Sequence, residues 1–191
     1  MKAIGIIPVR SGSKRFPGKN FSLFNKTTLI ENTIAKLRKA RIDDIIISTD
    51  VIAKVIHLPV MVMERPSELA QDESKVEDVI LDVIEKLQYP PEEDYIIVLT
   101  QVTSPSWSPH HLLYAINILE NKKVDSVISV SPDYKPNGAF YVIKKSTFLL
   151  HKKLYLPNMY LVDLKWDESI DIDFEYQLYI AEAIARGNYD K

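Results

Sequence analysis

The loop after the first apolar segment of the chain carries enough positive charge to bind an anion. Within it lie four cations, Arg10, Lys14, Arg15 and Lys19. Gly12 and Ser13 leave backbone N–H groups free to turn inward, as happens in anion-binding loops. Arginine binds phosphate through paired N–H groups and lysine binds it as a point charge, so the loop suits a polyphosphate. A solvated basic turn is the alternative, and it is disfavoured because the loop directly follows a buried strand.

Two known phosphate-binding loops do not fit this segment. A Walker A loop has the spacing G-x-x-x-x-G, whereas five residues separate Gly12 from Gly18. Asn20 also stands where that loop has its magnesium-binding hydroxyl. The dinucleotide-binding loop G-x-G-x-x-G needs a further glycine, which is missing here. The sequence therefore predicts phosphate binding by a loop of another kind.

Two aspartates near the other end of the chain could complete such a site by holding a metal ion. Asp171 and Asp173 flank Ile172, and this alternation predicts a strand-like segment with both carboxylates on one side. Mg²⁺ binds through one or two carboxylates together with substrate phosphate, so the spacing suits it. The alternative is that both acids stabilise the positive end of the helix that follows. No residue is convincing as a dedicated general base.

The elements expected to position these residues alternate between strands and helices. Buried strands are predicted at residues 3–8, 45–47, 60–62, 95–99, 124–130, 139–143 and 159–164. Capping boxes begin helices at Thr28 and Ser74, and Ser108 caps a third. The last helix is predicted from about 174 to 186, ending at Gly187. Apolar strands separated by helices indicate a mostly parallel α/β sheet covered on both faces, with its ligand site at the carboxyl ends of the strands.

Length, charge and composition limit the possible domains, partners and chemistry of the chain. The chain of 191 residues fits one domain, which we place at 1–191. Its net charge of −2 gives no overall attraction to nucleic acid or to an anionic membrane, so neither is an expected partner. The absence of cysteine excludes disulfides, thiolate metal sites and a cysteine nucleophile. No apolar run is long enough for a secretory leader or a membrane span, so we expect a cytoplasmic protein.

Seven blocks of the sequence, taken together, resemble one enzyme family. The blocks are IIPVRSGSKRFPGKN, ISTD, ERPSELAQD, QVTSP, DSVISV, PNGAFYV and DESIDID, and they run in the family's order. They make the chain similar to the cytidylyltransferases that activate sialic acid and related 2-keto-3-deoxy sugar acids. The resemblance implies a Rossmann-like three-layer sandwich of the nucleotide-diphospho-sugar transferase type. It also implies that CTP and a sugar acid react to give a CMP-sugar and pyrophosphate, with Mg²⁺ as cofactor.

The resemblance assigns roles to residues in these blocks. The catalytic contacts to the triphosphate are Arg10, Lys14 and Lys19, and the further nucleotide contacts are Ser13, Asn20, Arg65 and Ser74. Of these, Asn20 is expected near the ribose, and Arg65 and Ser74 near the base, with Lys75 as the alternative to Ser74. The acceptor contacts are Gln101 and Asn137, although Asn137 and Gly138 could also form a simple turn. The metal ligands are Asp171 and Asp173. At Arg15 the family often has an uncharged residue, so its role stays open.

Three departures from the family concern the acceptor side. The family has a long arm that contacts the sugar and packs on a partner subunit, but only residues 131–135 remain here. The usual acceptor recognition and the homodimer are therefore both in doubt. Trp107 replaces an arginine and is predicted to close or reshape the acceptor side. Gln177 stands near the position of a further family acid, which leaves Glu175 as the candidate substitute.

The sequence leaves the acceptor open. Sialic acid is the first expectation, and legionaminic, pseudaminic or 3-deoxy-manno-octulosonic acid are alternatives, as is a smaller acid or a phosphonate. A protein of a different class would be a nucleotide-binding module that has lost turnover together with the acceptor arm. A further enzyme hypothesis keeps the fold but uses UTP or ATP. The retained aspartate pair favours an enzyme, because two like charges placed together cost stability and are easily lost.

Overall fold

A seven-stranded sheet forms the centre of this computed structural model, which describes residues 1–189. The strands, in chain order, are β1 (Ala3–Val9), β2 (Leu23–Phe24), β3 (Thr27–Thr28), β4 (Asp44–Thr49), β5 (Met61–Glu64), β6 (Ile96–Leu99), β7 (Ser126–Val130), β8 (Pro136–Lys144) and β9 (Met159–Asp163). The short strands β2 and β3 form a separate hairpin, and the other seven run in the order β5-β4-β1-β6-β8-β7-β9. All seven predicted strands are thus present, with ends shifted by up to three residues.

Five helices connect and cover these strands. They are α1 (Leu29–Lys39), α2 (Val76–Lys86), α3 (Pro109–Asn121), α4 (Lys145–His151) and α5 (Glu175–Tyr189). Among the helices in the described part of the chain, none is both long enough and apolar enough to cross a membrane.

The sheet is mostly parallel, as predicted. β1 lies near its middle and pairs in parallel with both β4 and β6. β8 is the exception, because it runs antiparallel to both of its neighbours, β6 and β7. Residues 131–135 link β7 to β8 by a tight turn, which is too short for the crossover that a parallel pair would need. The carboxyl ends of β1, β4 and β6 therefore meet at one edge of the sheet, where the site is expected.

The apolar side chains of β1 alternate between the two faces of the sheet. Ile7 is fully buried in the core that α1, α3 and α5 cover. Ile4 and Ile6 are fully buried on the other face, together with apolar side chains of α2 and α4. Helices on both sides of one sheet make a three-layer sandwich, and the predicted fold class is confirmed.

Two of the predicted helix starts are confirmed by their caps. The Thr28 side chain accepts a hydrogen bond from the Glu31 N–H at 3.2 Å, and the Glu31 carboxylate accepts one from the Thr28 N–H at 2.7 Å. This reciprocal pair is the capping box expected at the start of α1. Ser108 caps α3 by accepting from the His110 N–H at 3.4 Å.

The start of α2 and the end of α5 were predicted wrongly. α2 begins after Lys75 rather than Ser74 and has no side-chain cap. The Ser74 hydroxyl instead donates to the carbonyl of Glu68 at 2.9 Å and accepts from the Gln71 N–H at 3.2 Å, so it is used inside the preceding loop. α5 continues through Gly187, because one glycine costs a helix only about 1 kcal/mol and does not end it. α4 was not predicted, since its short segment directly continues β8.

Gly5 lets helix α1 approach β1 closely. A Cβ atom at this position would lie 2.9 Å from Leu37 Cδ1 and 3.3 Å from Ile42 Cγ2. Because Leu37 is fully buried, Gly5→Ala should destabilise the fold by about 1–3 kcal/mol through overpacking. The midpoint of urea unfolding measures this. Gly187→Ala is the control, since nothing lies within 4 Å of its added Cβ and alanine favours a helix. Equal or higher stability of Gly5→Ala would contradict the expected close packing.

Candidate active site

The basic loop after β1 is anchored at both ends. Asp50, which follows β4, accepts hydrogen bonds from the Ser11 N–H at 2.8 Å and the Ser11 hydroxyl at 2.5 Å. Gly18 adopts a left-handed conformation with φ 74° and begins a short turn over Lys19–Phe21. Asn20 is buried there and donates its Nδ2 to the carbonyl of Arg10 at 3.0 Å. Asn20 therefore closes the loop on itself, and Ser13 lies half-buried within it.

Cations of this loop meet the carboxylates from the other end of the chain. Lys19 Nζ lies 2.8 Å from the carbonyl oxygen of Ile172 and 3.1 Å from Asp173 Oδ1. Arg15 lies on the other oxygen of the same carboxylate, with its Nη2 2.9 Å from Asp173 Oδ2. The expected convergence of basic loop and aspartate pair is therefore present in the fold. Arg15, whose role the sequence left open, is part of it.

The segment that carries the two aspartates is irregular and not a strand, contrary to the expectation. It is fixed by the N–H of Ile172, which donates to the carbonyl of Thr103 at 2.8 Å. Ile172 is fully buried, while Asp171 and Asp173 on either side are half-buried. The predicted alternation is thus correct without strand pairing, because one backbone bond and one buried side chain suffice to impose it.

The carboxylate of Asp171 is suited to bind a cation. Its Oδ1 atom is buried and has no hydrogen-bond partner among the described residues. Burial raises the pKa of Asp171 and the neighbouring Asp173 charge adds to the rise, while Thr103 and the loop cations oppose it. A divalent cation would satisfy the bare oxygen and compensate both charges. Within residues 1–189 no group of three or more His, Asp or Glu side chains could hold a metal.

The start of α5 does not restore the further acid of the family. Gln177 accepts hydrogen bonds with its Oε1 from the N–H groups of Asp173 at 2.7 Å and Phe174 at 2.8 Å. Gln177 thus caps the helix and orients the aspartate segment. Glu175 is exposed and accepts a hydrogen bond from the Tyr179 hydroxyl at 3.0 Å. It points to its own helix, so the proposed substitution by Glu175 finds no support in its contacts.

The other two loop cations are paired with a carboxylate that the sequence did not single out. Asp72 Oδ1 lies 2.5 Å from Arg10 Nη1, and its Oδ2 lies 2.5 Å from Lys14 Nζ. Hydrogen bonds from Lys14 and Arg10 hold the pKa of Asp72 below its ordinary value. Asp72 therefore occupies the two cations that were predicted to bind a triphosphate.

Arg65 is buried beside the carboxyl end of β4. Its Nη2 and Nε donate to the backbone carbonyl of Ser48 at 2.5 Å and to the Ser48 hydroxyl at 3.2 Å. Burial lowers the pKa of Arg65 to about 10, so the side chain remains charged at neutral pH. A cavity of about 570 Å³ is lined by Arg65 and Asp50 together with neighbours from 63–67 and Lys86. This places Arg65 at an open site next to the basic loop, whereas Ser74 is engaged in its own loop.

Gln101 and Asn137 lie together at the carboxyl end of β6. Gly138 has a left-handed φ of 73°, and a Cβ there would lie 2.7 Å from Gln101 Oε1. Asn137 lies in β8 and not in a turn, and its Oδ1 accepts from the Ser129 hydroxyl at 2.7 Å. Its Nδ2 is buried without a hydrogen-bond partner among the described residues. The free amide is a donor that a ligand could use.

A tyrosine pair near this strand was missed from the sequence. Tyr155 donates its hydroxyl to that of Tyr141 at 3.2 Å, and the two rings pack edge to face. Tyr141 is buried, and burial raises its pKa strongly, with the Asp171 charge contributing to the rise. The one sequence signal for this tyrosine pair was the position of Tyr141 in PNGAFYV.

Trp107 does not close the acceptor side, because it belongs to the core. Its side chain is buried and packs edge to face on Phe140 at 5.7 Å between ring centroids. Lys36 lies over the ring at 5.0 Å and donates to the Trp107 carbonyl. Both residues line a cavity of about 790 Å³ between α1, the 105–108 loop and α5, which contains none of the predicted site residues. The prediction for Trp107 was therefore wrong.

Residues 131–135 form a compact turn in place of an arm. The N–H of Ser131 donates to the carbonyl of Lys135 at 2.9 Å, and the N–H of Tyr134 donates back to the Ser131 carbonyl at 2.8 Å. Lys135 and Asp133 form an ion pair at 2.7 Å on its exposed side. The contacts of this turn are therefore internal to it.

Fold and site together define an α/β protein in which a basic loop faces a carboxylate pair at the carboxyl edge of a mostly parallel sheet. The sequence profile of the cytidylyltransferase family matches residues 4–160. This match includes most of the chain, and the chain therefore belongs to the cytidylyltransferase family.

Individual relatives agree with this assignment. N-acylneuraminate cytidylyltransferase of Streptococcus agalactiae is 29% identical over 213 residues, which cover 91% of this chain and 51% of that protein. CMP-N,N'-diacetyllegionaminic acid synthase of Legionella pneumophila is 29% identical over 232 residues, covering 100% of this chain and 99% of that protein. The chain thus spans about half the length of the streptococcal relative and nearly all of the Legionella one.

Solved structures confirm the fold. The structure of CMP:2-keto-3-deoxy-manno-octonic acid synthetase complexed with CTP superimposes with a TM-score of 0.76 at 13% identity, covering 98% of this chain and 100% of that one. A nucleotidyl transferase from Methanothermobacter thermautotroptrophicus gives a TM-score of 0.72 at 16% identity, covering 98% and 99% of the two chains.

Proposed function

We propose that this chain transfers CMP from CTP to a 2-keto-3-deoxy sugar acid, sialic acid or a related nonulosonic acid, and releases pyrophosphate. The observation that carries the proposal is the contact of Lys19 and Arg15 with Asp173, beside the partly buried Asp171. It brings phosphate-binding and metal-binding chemistry to one place. The names of the streptococcal and Legionella relatives support a nonulosonic acid as acceptor.

The basic loop would act on the phosphates by position and charge. A hydroxyl oxygen of the acceptor attacks the α-phosphorus and loses its proton to solvent, and a new P–O bond forms. The bond between the α-phosphorus and the oxygen that bridges to the β-phosphate breaks. Negative charge then accumulates on the departing pyrophosphate. Lys19, Arg10 and Lys14 would neutralise this charge, and electrostatic stabilisation of this kind is the main contribution to phosphoryl-group transfer. Lys19 is held most firmly, because it also binds the Ile172 carbonyl.

We propose Mg²⁺ as the cofactor, with Asp171 and Asp173 as its protein ligands. The bare Oδ1 of Asp171 and the half-buried position of both carboxylates support this choice. When bound, the ion would neutralise phosphate charge and lower the pKa of a coordinated hydroxyl. A dedicated histidine base is then not required.

Pyrophosphate release tests the proposed reaction. The purified chain is incubated with CTP, Mg²⁺ and one acceptor at a time, from N-acetylneuraminic, diacetyllegionaminic, pseudaminic and 3-deoxy-manno-octulosonic acids to small phosphonates. We expect release with at least one nonulosonic acid, and none without Mg²⁺. If pyrophosphate is released only with a small acid or a phosphonate, the acceptor is of that class and not a nonulosonic acid. If CTP binds in calorimetry but no pyrophosphate is released, the chain is a nucleotide-binding module. If UTP or ATP binds more tightly than CTP, that nucleotide is the donor instead of CTP.

The reaction also suggests where the protein works and in what form. CTP is a metabolite of the cytoplasm, so we propose a cytoplasmic location. A homodimer stays a prediction, since the arm that supports it in the family is a tight turn here. Light scattering of the purified chain measures the oligomeric state.

Asp72 should compete with the triphosphate for two of the loop cations. Asp72→Asn removes the carboxylate that occupies Arg10 and Lys14. Exposed ion pairs are weak, so we expect CTP to bind only roughly 3- to 10-fold more tightly in calorimetric titration. Glu73→Gln is the matched control, because it removes one adjacent exposed negative charge and should change affinity less. Weaker CTP binding by Asp72→Asn would show that Asp72 supports the nucleotide site instead.

A further inference from the structure

The acceptor brings a negative charge to the reacting centre. In a 2-keto-3-deoxy sugar acid the attacking hydroxyl is on the carbon that carries the carboxylate. That carboxylate must therefore come within a few ångströms of the metal ligands and of the triphosphate. Repulsion between these anions is strong in a partly desolvated site, so a cation beside the acceptor carboxylate would stabilise the complex. This inference rests on the proposed function and concerns the acceptor side of the same site.

Arg15 has the free donors that this carboxylate needs. Lys19 is only 15% exposed and already binds Asp173 and the Ile172 carbonyl. Arg15 is 60% exposed, and its one ion pair in the described part of the chain joins Nη2 to Asp173 Oδ2. A guanidinium has five N–H donors and binds carboxylates through two of them. Arg15 can therefore hold a second carboxylate while it remains next to Asp173.

An exposed aromatic stack continues the surface from Arg15. The guanidinium carbon of Arg15 lies 5.5 Å from the centroid of the Phe174 ring. Phe174 in turn stacks on Tyr176, with centroids 5.9 Å apart and rings inclined by 15°. Phe174 is 42% exposed and Tyr176 is 59% exposed, so both rings face solvent beside the aspartate segment. Exposed stacked rings next to a reacting centre can bury the apolar face of a ligand.

We propose that Arg15, Phe174 and Tyr176 form the acceptor-binding wall of this enzyme. Arg15 binds the acceptor carboxylate, and the two rings pack against the C–H or acyl face of the same molecule. The wall supplies contacts that the 131–135 turn cannot make. It selects an acid with an apolar face several atoms long, such as an acylated sugar acid, over a small polar acid.

Steady-state kinetics of pyrophosphate release separate acceptor binding from nucleotide binding. The variants are Phe174→Ala and Arg15→Gln, with Tyr179→Ala as control. Tyr179 lies on the same helix as Tyr176 and is equally exposed at 59%. We expect the acceptor KM to rise about 10-fold in Phe174→Ala and kcat/KM for the acceptor to fall about 10- to 100-fold in Arg15→Gln. The KM for CTP should stay within about twofold in Phe174→Ala, and Tyr179→Ala should behave like the wild type.

The outcomes distinguish this wall from the function on which it rests. If the wild type releases no pyrophosphate with any acceptor, the proposed function fails. If the wild type turns over but Phe174→Ala keeps its acceptor KM, or changes both KM values equally, the wall alone is overturned. Arg15→Lys adds a further check, because it keeps the charge but not the paired donors and should recover only part of the loss. Unchanged melting temperatures of the variants show that the fold is intact.

Discussion

Replacing Asp171 by asparagine should abolish the Mg²⁺-dependent release of pyrophosphate and at the same time stabilise the metal-free protein. The carboxylate oxygen that lacks a partner is the one proposed to bind the ion, and removing such a charge-stabilising contact lowers kcat by at least about 10²-fold. Without metal, the partly buried charge of Asp171 only destabilises the fold. Its removal should raise stability by about 1 kcal/mol, or roughly 2–4 °C in melting temperature.

The stability gain of Asp171→Asn should depend on pH. Burial and the Asp173 charge raise the pKa of Asp171 in the folded state above its unfolded value. The folded protein therefore binds the proton more tightly, and the stability from this group is fully present below the unfolded pKa and lost as pH rises through the folded pKa. The stability gain of Asp171→Asn over the wild type should thus be larger at pH 7 than at pH 4. Urea unfolding with a chelator at both pH values measures it.

Asp173→Asn is the matched comparison. It should lose activity as well, but it also gives up ion pairs with Lys19 and Arg15. Its metal-free form should therefore be no more stable than the wild type. A stabilised Asp173→Asn, or a destabilised Asp171→Asn, would contradict the distinction between a paired and an unpaired carboxylate.

The sequence predicted the place of this site better than its internal contacts. β1 and the basic loop are adjacent in the chain, and the carboxyl end of a parallel strand is where ligands bind. The alternation of Asp171 and Asp173 around an apolar residue was enough to predict that both aspartates are more exposed than Ile172. In both cases the pattern is local, and it is enforced by burial of Ile7 or Ile172.

Contacts between distant exposed charges were not predictable in the same way. Asp72 is an ordinary acid in a polar stretch, and only the folded loop shows it between Arg10 and Lys14. Ser74 fits a capping box by spacing, but its hydroxyl has closer backbone partners in the preceding loop. Competing partners of comparable strength make such assignments depend on tertiary geometry, which spacing alone does not contain.

The same distinction between firmly held and exposed cations leads to a second large effect. Lys19→Met should reduce kcat/KM for CTP by about 10²- to 10³-fold, since it removes the charge that lies between the loop and Asp173. Lys19 is 15% exposed and binds the Ile172 carbonyl at 2.8 Å, so its ammonium group is positioned before substrate arrives. Lys19→Arg should not restore the rate, because a guanidinium has a different shape and donor geometry.

Lys14→Met is the control that tests this reasoning. Lys14 is a cation of the same loop, but its side chain is 83% exposed and pairs only with Asp72 among the described residues. It must leave that pair and become ordered when the triphosphate binds, and both steps reduce its net contribution. We therefore expect a loss of less than about 10-fold, mainly in the KM for CTP. Steady-state pyrophosphate release measures both variants. Equal losses would mean that total loop charge, rather than the fixed position of Lys19, determines the rate.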